Sequence, residues 1–287
     1  MSAIDQSLSI RSVELGVSDL QRSADFYSRV LGLPLISLES GRALLGTDPR
    51  RPALALSAIA DPTPLQRSAT GLYHVAWLHP SRAALAETVR RVARARWQFD
   101  GVADHGVSEA LYLSDPDGLG IEVYVDRPRE QWERPADGRG VIMVTEPLDV
   151  ADLLAEYPED PGAEMPAGTA IGHVHLQVAD VSRAEAFYTG ALGFEEQALL
   201  PSAAFVAAGG YHHHLGLNSW QSRGAGRAPD SAPGLRRVHF ELGDGDAIEA
   251  IERSLSDAGA EEQPARGHDG SLAVLDPDGQ LLAFTAR

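Results

Sequence analysis

The chain contains one sequence pattern twice, and the two copies are offset by 161 residues. Residues 10–19 align with 171–180, and an Asp-Pro-Asp-Gly tetrapeptide late in each copy keeps the same offset, at 115–118 and 276–279. Equal offsets at the start and the end of the pattern indicate a duplication into two halves of equal length. The fold must therefore contain each structural element of one half a second time in the other half.

Each half divides into two units of similar design. The first half opens with an alternating apolar strand, after which Ser18 or Asp19 offers a helix N-cap and Gly32 stands where that helix should end. Gly71 starts a second alternating strand, which is followed by a predicted helix over about residues 81–94. We therefore predict four βαβββ units, two in each half, and an α+β fold.

The two halves are separated by residues 127–169, which are rich in Pro, Gly and charged side chains. This composition is typical of a linker, and residues 150–157 form its one predicted short helix. The predicted organisation is a first domain at 1–126, a linker at 127–169 and a second domain at 170–287.

The charge and the cysteine content of the chain exclude several classes of function. The 41 acidic and 24 basic residues leave a formal net charge of −17, which argues against binding to nucleic acid or to an anionic membrane surface. Because the chain has no cysteine, disulfides, zinc–thiolate sites, iron–sulfur clusters and thiol nucleophiles are excluded. A metal would have to be held by His, Asp or Glu.

The N-terminal segment has no basic region followed by an apolar run, so we expect no signal peptide. No apolar stretch approaches the roughly 20 residues that a membrane helix needs. A cytoplasmic location is the expectation.

Several motifs together resemble one known superfamily. The four βαβββ units, the Phe-Tyr pair in the first helix of each half, the Leu-Gly at its end and the late Asp-Pro-Asp-Gly are similar to the vicinal oxygen chelate (glyoxalase/bleomycin resistance/extradiol dioxygenase) superfamily. The resemblance covers nearly the whole chain. It implies two tandem domains whose cupped, mixed β-sheets form half-barrels around a metal, but it does not determine the reaction.

Members of this superfamily take their metal ligands from the first and last strands of a unit. At those positions the resemblance gives His74 and Glu122 in unit two and His173 in unit three, whereas the remaining positions carry poor ligands, namely Ser12, Arg237 and Ala283. Two His and one carboxylate form the facial triad of non-haem Fe(II) oxygenases, and Mn(II) tolerates the same ligands. We therefore predict that units two and three share one cavity. A barrel made by the first half alone would instead need Glu14 as its third ligand.

A run of three histidines follows two glycines in unit three. Residues 211–217 are interpreted as its last strand and resemble the extradiol dioxygenase segment with a catalytic, non-ligating His, which implies that role for His213. In a regular strand His212 and His214 would face the opposite side; either of them is the alternative if the alignment is off by one.

The resemblance also assigns catalytic positions to His105 and Tyr112, which would hydrogen-bond the substrate. The alternatives are an ordinary loop residue for His105, a core strand residue for Tyr112 and a salt bridge to Arg for Glu122. Aromatic candidates for the substrate pocket are Trp77, Phe205, Tyr211 and Trp220.

The function implied by the resemblance is an extradiol, catechol 2,3-type dioxygenase. It would use Fe(II) to insert O₂ into a small aromatic diol, as in aromatic hydrocarbon catabolism. Three alternatives stay open: a non-catalytic protein that sequesters a ligand or drug, a glyoxalase-like isomerase and a hydroquinone dioxygenase. Exposed strand edges favour a homodimer or a higher homo-oligomer.

Overall fold

The computed structural model describes residues 4–157, 160–259 and 264–287, and they form the four repeated units. Unit one consists of β1 (Ser9–Val17), α1 (Leu20–Asp25), β2 (Leu35–Glu39), β3 (Arg42–Leu45) and β4 (Leu54–Ala58). Unit two consists of β5 (Gly71–Leu78), α2 (Arg82–Arg94), β6 (Gly101–Asp104), β7 (Ser108–Ser114) and β8 (Gly120–Asp126). The segment between the halves contributes α3 (Val150–Ala155).

The second half repeats this order. Unit three consists of β9 (Ala170–Gln177), α4 (Val181–Ala186), β10 (Glu195–Leu200), β11 (Ala203–Ala207) and β12 (Leu215–Asn218). Unit four consists of β13 (Gly234–Leu242), α5 (Gly245–Asp257), β14 (Ala265–Arg266), β15 (Leu272–Leu275) and β16 (Leu281–Ala286).

The units pair across the two halves rather than within them. One eight-stranded sheet has the order β14-β15-β16-β13-β1-β4-β3-β2, and the other has the order β10-β11-β12-β9-β5-β8-β7-β6. We call them the 1/4 sheet and the 2/3 sheet after their units. Antiparallel pairs β1–β13 and β5–β9 join the units at each sheet centre. The predicted α+β fold with mixed sheets is confirmed. The proposed division into 1–126, 127–169 and 170–287 follows the sequence repeat and does not separate the two sheets.

The first helix of each half ends in a wider turn than the sequence predicts. Asp19 caps α1 by accepting a hydrogen bond from the Arg22 backbone N–H. The helix then continues as a π-helical turn at Phe26–Val30 and stops at Gly32, whose φ of +85° favours glycine. α4 is built in the same way, with a π-helical turn at Phe187–Ala191.

The two motifs that define the repeat contact each other. The hydroxyl of Tyr27, in the Phe-Tyr pair, donates to Asp115 Oδ2 at 3.3 Å, and that of Tyr188 donates to Asp276 Oδ2 at 2.9 Å. Burial raises the pKa of both aspartates to about 6. Tyr27 belongs to unit one, in the 1/4 sheet, and Asp115 to unit two, in the 2/3 sheet. Tyr188 and Asp276 likewise belong to units three and four, so each hydrogen bond connects the two sheets.

One apolar core joins the sheets and helices, and β5 shows how it is separated from the site. Val75 and Trp77 belong to that core, whereas Ala76 belongs to a small cluster on the opposite face with Ala110 and Tyr124. Successive strand residues face opposite sides, so the core side of β5 is apolar and its concave side is free to carry polar groups.

Within the described ranges, no helix is both long and apolar enough to cross a membrane.

Candidate metal centre

Three neighbouring strands of the 2/3 sheet bring the predicted ligands to one place. Ala76 on β5 is paired with Glu122 on β8 and, on its other side, with His173 on β9. His74 lies two residues before Ala76 and therefore on the same concave face. The three side chains are buried, with 5, 3 and 2% exposure for His74, Glu122 and His173.

The spacing of the three side chains fits one metal ion. Nε2 of His74 lies 2.9 Å and Nε2 of His173 lies 3.2 Å from Glu122 Oε2, and the two nitrogens are 3.4 Å apart. Ligand atoms about 2.1 Å from a cation lie roughly 3.0 Å apart at octahedral angles and somewhat farther apart at tetrahedral ones. The three atoms are thus spaced as neighbouring ligands of a single cation.

The charge states also suit a metal. Burial lowers the pKa of His173 to about 4, so its imidazole is neutral at physiological pH, the form that binds metals. Among the described residues, the Glu122 carboxylate contacts the imidazoles of His74 and His173, at 2.9 and 3.2 Å, and forms no salt bridge with an Arg. The salt-bridge alternative for this buried carboxylate is therefore not what the structure shows.

Glu14, the alternative third ligand, lies in the 1/4 sheet. Its carboxylate accepts a hydrogen bond from Ser57 Oγ at 2.9 Å and lies 3.8 Å from the Arg42 guanidinium. It is not part of the cluster formed by His74, Glu122 and His173.

The 1/4 sheet repeats the geometry of the site without its ligands. His239 on β13 is paired with Ser12 and with Ala283, as Ala76 is with His173 and Glu122 in the other sheet. Arg237 stands at the position equivalent to His74. This equivalent position therefore offers no comparable set of ligands.

His105 and Tyr112 meet beside the ligand cluster. Nε2 of His105 lies 2.7 Å from the Tyr112 hydroxyl, and its Nδ1 lies 2.7 Å from the carbonyl oxygen of Val144. A carbonyl can only accept, so Nδ1 carries the proton of the neutral ring and Nε2 accepts from Tyr112. Burial and the Glu122 carboxylate raise the pKa of Tyr112, which keeps its hydroxyl protonated.

The histidine run differs from its predicted conformation. β12 begins only at Leu215, after Gly209 and Gly210 turn the chain with φ of +62° and +63°, so strand alternation does not apply to residues 211–214. His213 and His212 both approach His173, with ring centroids 4.0 and 6.1 Å away.

His213 is thus the closest of the three to a candidate ligand. Burial lowers its pKa well below the ordinary value. His214 is held elsewhere, because its Nδ1 accepts a hydrogen bond from the Ala208 backbone N–H.

The aromatic candidates are divided between the site and the core. Phe205 packs against His213 and His175, and Trp220 packs against His175, with ring centroids 5.0, 5.7 and 5.6 Å apart. Trp77 lies in the main core, because it is three residues from His74 on β5 and therefore on the opposite face of the strand. This spacing was enough to exclude Trp77 from the substrate pocket.

Two further side chains belong to the neighbourhood although sequence reasoning gave them no role in the chemistry. Asp126, at the end of β8, accepts a hydrogen bond from His212 Nε2 at 2.8 Å. His175 lies 4.9 Å from His74 between ring centroids, and its separation from His173 by two residues on β9 places it on the same face. Asp126 lies four residues after Glu122 on β8. This even spacing could have predicted from sequence that both side chains share one face.

A cavity of about 450 Å³ opens beside the cluster and has His74 and Tyr112 in its wall. It continues between the two sheets to Arg67, Arg227 and Gln280. This volume is within the range of small-molecule sites, about 300–1,000 Å³.

The family model of the Glyoxalase/Bleomycin resistance protein/Dioxygenase superfamily matches the chain twice, at residues 9–123 and 170–284. The chain belongs to this superfamily. The recognition from sequence motifs is confirmed. The two matched segments coincide with the two halves of the internal repeat.

Individual superfamily members resemble the whole chain. A Bacillus subtilis (strain 168) protein named catechol-2,3-dioxygenase is 39% identical, over 99% of this chain and 99% of its own. A Bacillus subtilis (subsp. subtilis str. 168) crystal structure assigned as a dioxygenase gives a TM-score of 0.64 at 13% identity, covering 99% of this chain and 86% of its own.

The crystal structure of glyoxalase I from Zea mays gives a TM-score of 0.55 at 18% identity, covering 97% of this chain and 92% of its own. Similarity at this identity concerns the fold alone.

Proposed function

We propose that this protein is an Fe(II)-dependent extradiol dioxygenase that cleaves a catechol-type aromatic diol with O₂. The observation that supports this most is the buried cluster of His74, Glu122 and His173, with its three ligand atoms 2.9–3.4 Å apart. The full-length similarity to the Bacillus subtilis protein named catechol-2,3-dioxygenase supports the same reaction.

In this proposal the three side chains hold the ion. Two imidazoles and one carboxylate suit Fe(II), with Mn(II) as the second candidate, and leave coordination positions for other ligands. Bound Fe(II) would supply Lewis acidity that lowers the pKa of a coordinated hydroxyl and a site for O₂.

The residues around the cluster would manage the protons and position the diol. Tyr112, protonated and hydrogen-bonded to His105 at 2.7 Å, would orient one oxygen of the diol. His213, buried and neutral, would exchange a proton with the reacting oxygens as a general acid–base.

The glyoxalase-like fold supports one rival, an isomerase. Glyoxalase-type sites commonly use more carboxylates, whereas within the described residues the cluster contains Glu122 as its one carboxylate. A ligand-sequestering protein is the rival from another class, and it has no need of a complete set of ligands. The homo-oligomer expected from the strand edges stays a prediction.

The test combines metal content with ring cleavage. Protein purified without chelators is analysed for metal, then loaded anaerobically with Fe(II), Mn(II) or Zn(II) and mixed with a panel of catechols and hydroquinones in air. The proposal predicts one equivalent of metal and a yellow ring-opened catechol product with Fe(II). A matched variant, Glu14→Gln, changes a carboxylate in the 1/4 sheet and should behave as wild type. Protein that binds Fe(II) but cleaves no diol would contradict the proposed reaction.

A further inference from the structure

A chain of two hydrogen bonds runs from the end of β8 to His213. The carboxylate of Asp126 accepts from Nε2 of His212 at 2.8 Å, and Nδ1 of His212 lies 2.8 Å from Nδ1 of His213. His212 is fully buried. The ring of Trp132 lies 5.3 Å from His212 between centroids, and this packing helps to hold the imidazole in place.

Strand β8 positions the Asp126 carboxylate to accept the hydrogen bond from His212. Glu122, Tyr124 and Asp126 alternate along β8, so they share the concave face of the 2/3 sheet. The Tyr211 hydroxyl also donates to Asp126 Oδ1, at 3.3 Å. One strand thus provides both the candidate ligand and, four residues later, a hydrogen-bonded carboxylate.

The direction of the two hydrogen bonds follows from the donor inventory. An ionised carboxylate can only accept, so Nε2 of His212 carries its proton. A neutral imidazole has one N–H, which leaves Nδ1 of His212 as an acceptor. The short contact between the two Nδ1 atoms then requires His213 to donate from its Nδ1.

We infer that Asp126 and His212 are positioning residues that hold the proton of His213 on Nδ1 and leave its Nε2 as the free base. The hydrogen bond of the His213 ring within the described residues is the one at Nδ1, so Nε2 is the nitrogen left to meet a ligand. This inference rests on the proposed function for its catalytic meaning, although the position of the proton can be measured without turnover.

The opposite arrangement makes a different prediction. If His212 were an imidazolium, both its nitrogens would donate, His213 would accept at Nδ1, and its own proton would move to Nε2. In the arrangement that we propose, each hydrogen bond of the series uses one N–H, and Nε2 of His213 is left as the free base. The nitrogen resonances of His213 distinguish the two arrangements.

The proton transfer that this arrangement allows is balanced. A hydroxyl of the diol gives its proton to Nε2 of His213: the O–H bond breaks, its electron pair stays on oxygen, and an N–H bond forms. The resulting imidazolium still donates from Nδ1 to His212, and Asp126 stabilises its charge through that ring, as a carboxylate does in a catalytic triad. The same Nε2–H can later return the proton to a product oxygen.

Nitrogen NMR on histidine-labelled protein loaded with diamagnetic Zn(II) tests the proton's position directly. We expect the His213 resonances, assigned by their loss in His213→Gln, to show a protonated Nδ1 and an unprotonated Nε2. The opposite pattern in wild-type protein would overturn the inference.

Two variants test the hydrogen bonds from Asp126 through His212 to His213 in the Fe(II)-loaded protein. In Asp126→Asn the amide can donate to Nε2 of His212, which would move the proton of His213 to Nε2. We expect a loss in kcat of about 100-fold or more, with KM and metal content little changed. His212→Asn can keep an acceptor near the position of Nδ1, so we expect a smaller loss than in Asp126→Asn.

Asp278→Asn is the matched control. Asp278 accepts a hydrogen bond from the Ala179 backbone N–H in a distant turn, which an amide oxygen can also accept. Unchanged kcat and an unmoved proton in Asp126→Asn would refute the positioning role.

The two proposals fail in different ways. Absence of ring cleavage in a protein whose His213 is protonated on Nδ1 would contradict the reaction alone.

Discussion

Nε2 of His74 and Nε2 of His173 lie 3.4 Å apart, although one residue belongs to the first half of the repeat and the other to the second. The contact exists because β5 and β9 pair in antiparallel fashion at the centre of the 2/3 sheet. Neither half contains the candidate site by itself, because the junction between the two halves creates it.

Glu122→Gln should remove metal binding while the fold is kept. The amide is nearly isosteric but lacks the charge that a divalent ion requires. Because changes to groups that merely support ligands cost about 10–100-fold in affinity, loss of a ligand should exceed that range. Anaerobic metal titration against a competing chelator measures it, with Glu14→Gln as control. Wild-type affinity in Glu122→Gln would remove this carboxylate from the ligand set.

His213→Ala should keep its metal and lose its turnover. His213 packs against His173 with the ring centroids 4.0 Å apart and the rings tilted by 45°, but it is not a member of the ligand cluster. General acid–base groups contribute about 10²–10⁴-fold, and a loss of that size in kcat is expected. Metal analysis and oxygen uptake on the same preparation measure both quantities. Intact turnover with bound metal would show that another group moves the proton.

Tyr112→Phe and His105→Ala should act through one shared hydrogen bond. The Tyr112 hydroxyl and His105 Nε2 are 2.7 Å apart, so removing either partner should lower kcat/KM by about 10-fold or more, as expected for a lost hydrogen bond in a buried site. The double variant should lose less than the product of the two single losses. Strictly multiplicative losses would mean that the two residues act separately.

His79→Gln should flatten the acid side of the stability profile. His79 is hydrogen-bonded to Thr169 and Thr88, and burial, with a smaller effect from Arg91, lowers its pKa to about 3. In the unfolded chain the ring takes up a proton near its ordinary pKa of 6.5. Stability from neutral His79 is therefore complete above pH 6.5 and is lost as the pH falls towards about 3.

A single proton of this kind contributes a slope of about 1.4 kcal/mol per pH unit. Denaturant unfolding of metal-free wild-type and variant protein between pH 4 and 7 should show the variant's slope reduced by up to that amount. Parallel profiles would show that His79 is protonated equally in the folded and unfolded states.

The repeat explains why so much of the candidate site was accessible from sequence. His74 and His173 lie on the first strands of units two and three, and Glu122 lies on the last strand of unit two. Strand periodicity then places the three side chains on one face. The pairing of units two and three could be predicted because no single half held two histidines and a carboxylate at those positions.

Other features depend on contacts that local patterns do not encode. The conformation of residues 211–214 departs from a strand because Gly209 and Gly210 turn the chain first. The partnership of Asp126 with His212 joins two halves of the molecule through tertiary packing, and nothing adjacent in sequence indicates it. The π-helical turn at Phe26–Val30 likewise has no local sequence signal.

Crosswise pairing of the units produces two equivalent junctions, and the ligands are present at one of them. At the other, Ser12, Arg237 and Ala283 stand in their places. A dimer of two identical halves would carry the same side chains at both junctions and could not alter one junction without the other. Joining the halves in a single polypeptide breaks that symmetry: one junction keeps the candidate ligands, and the other is free to diversify while it keeps the sheet continuous.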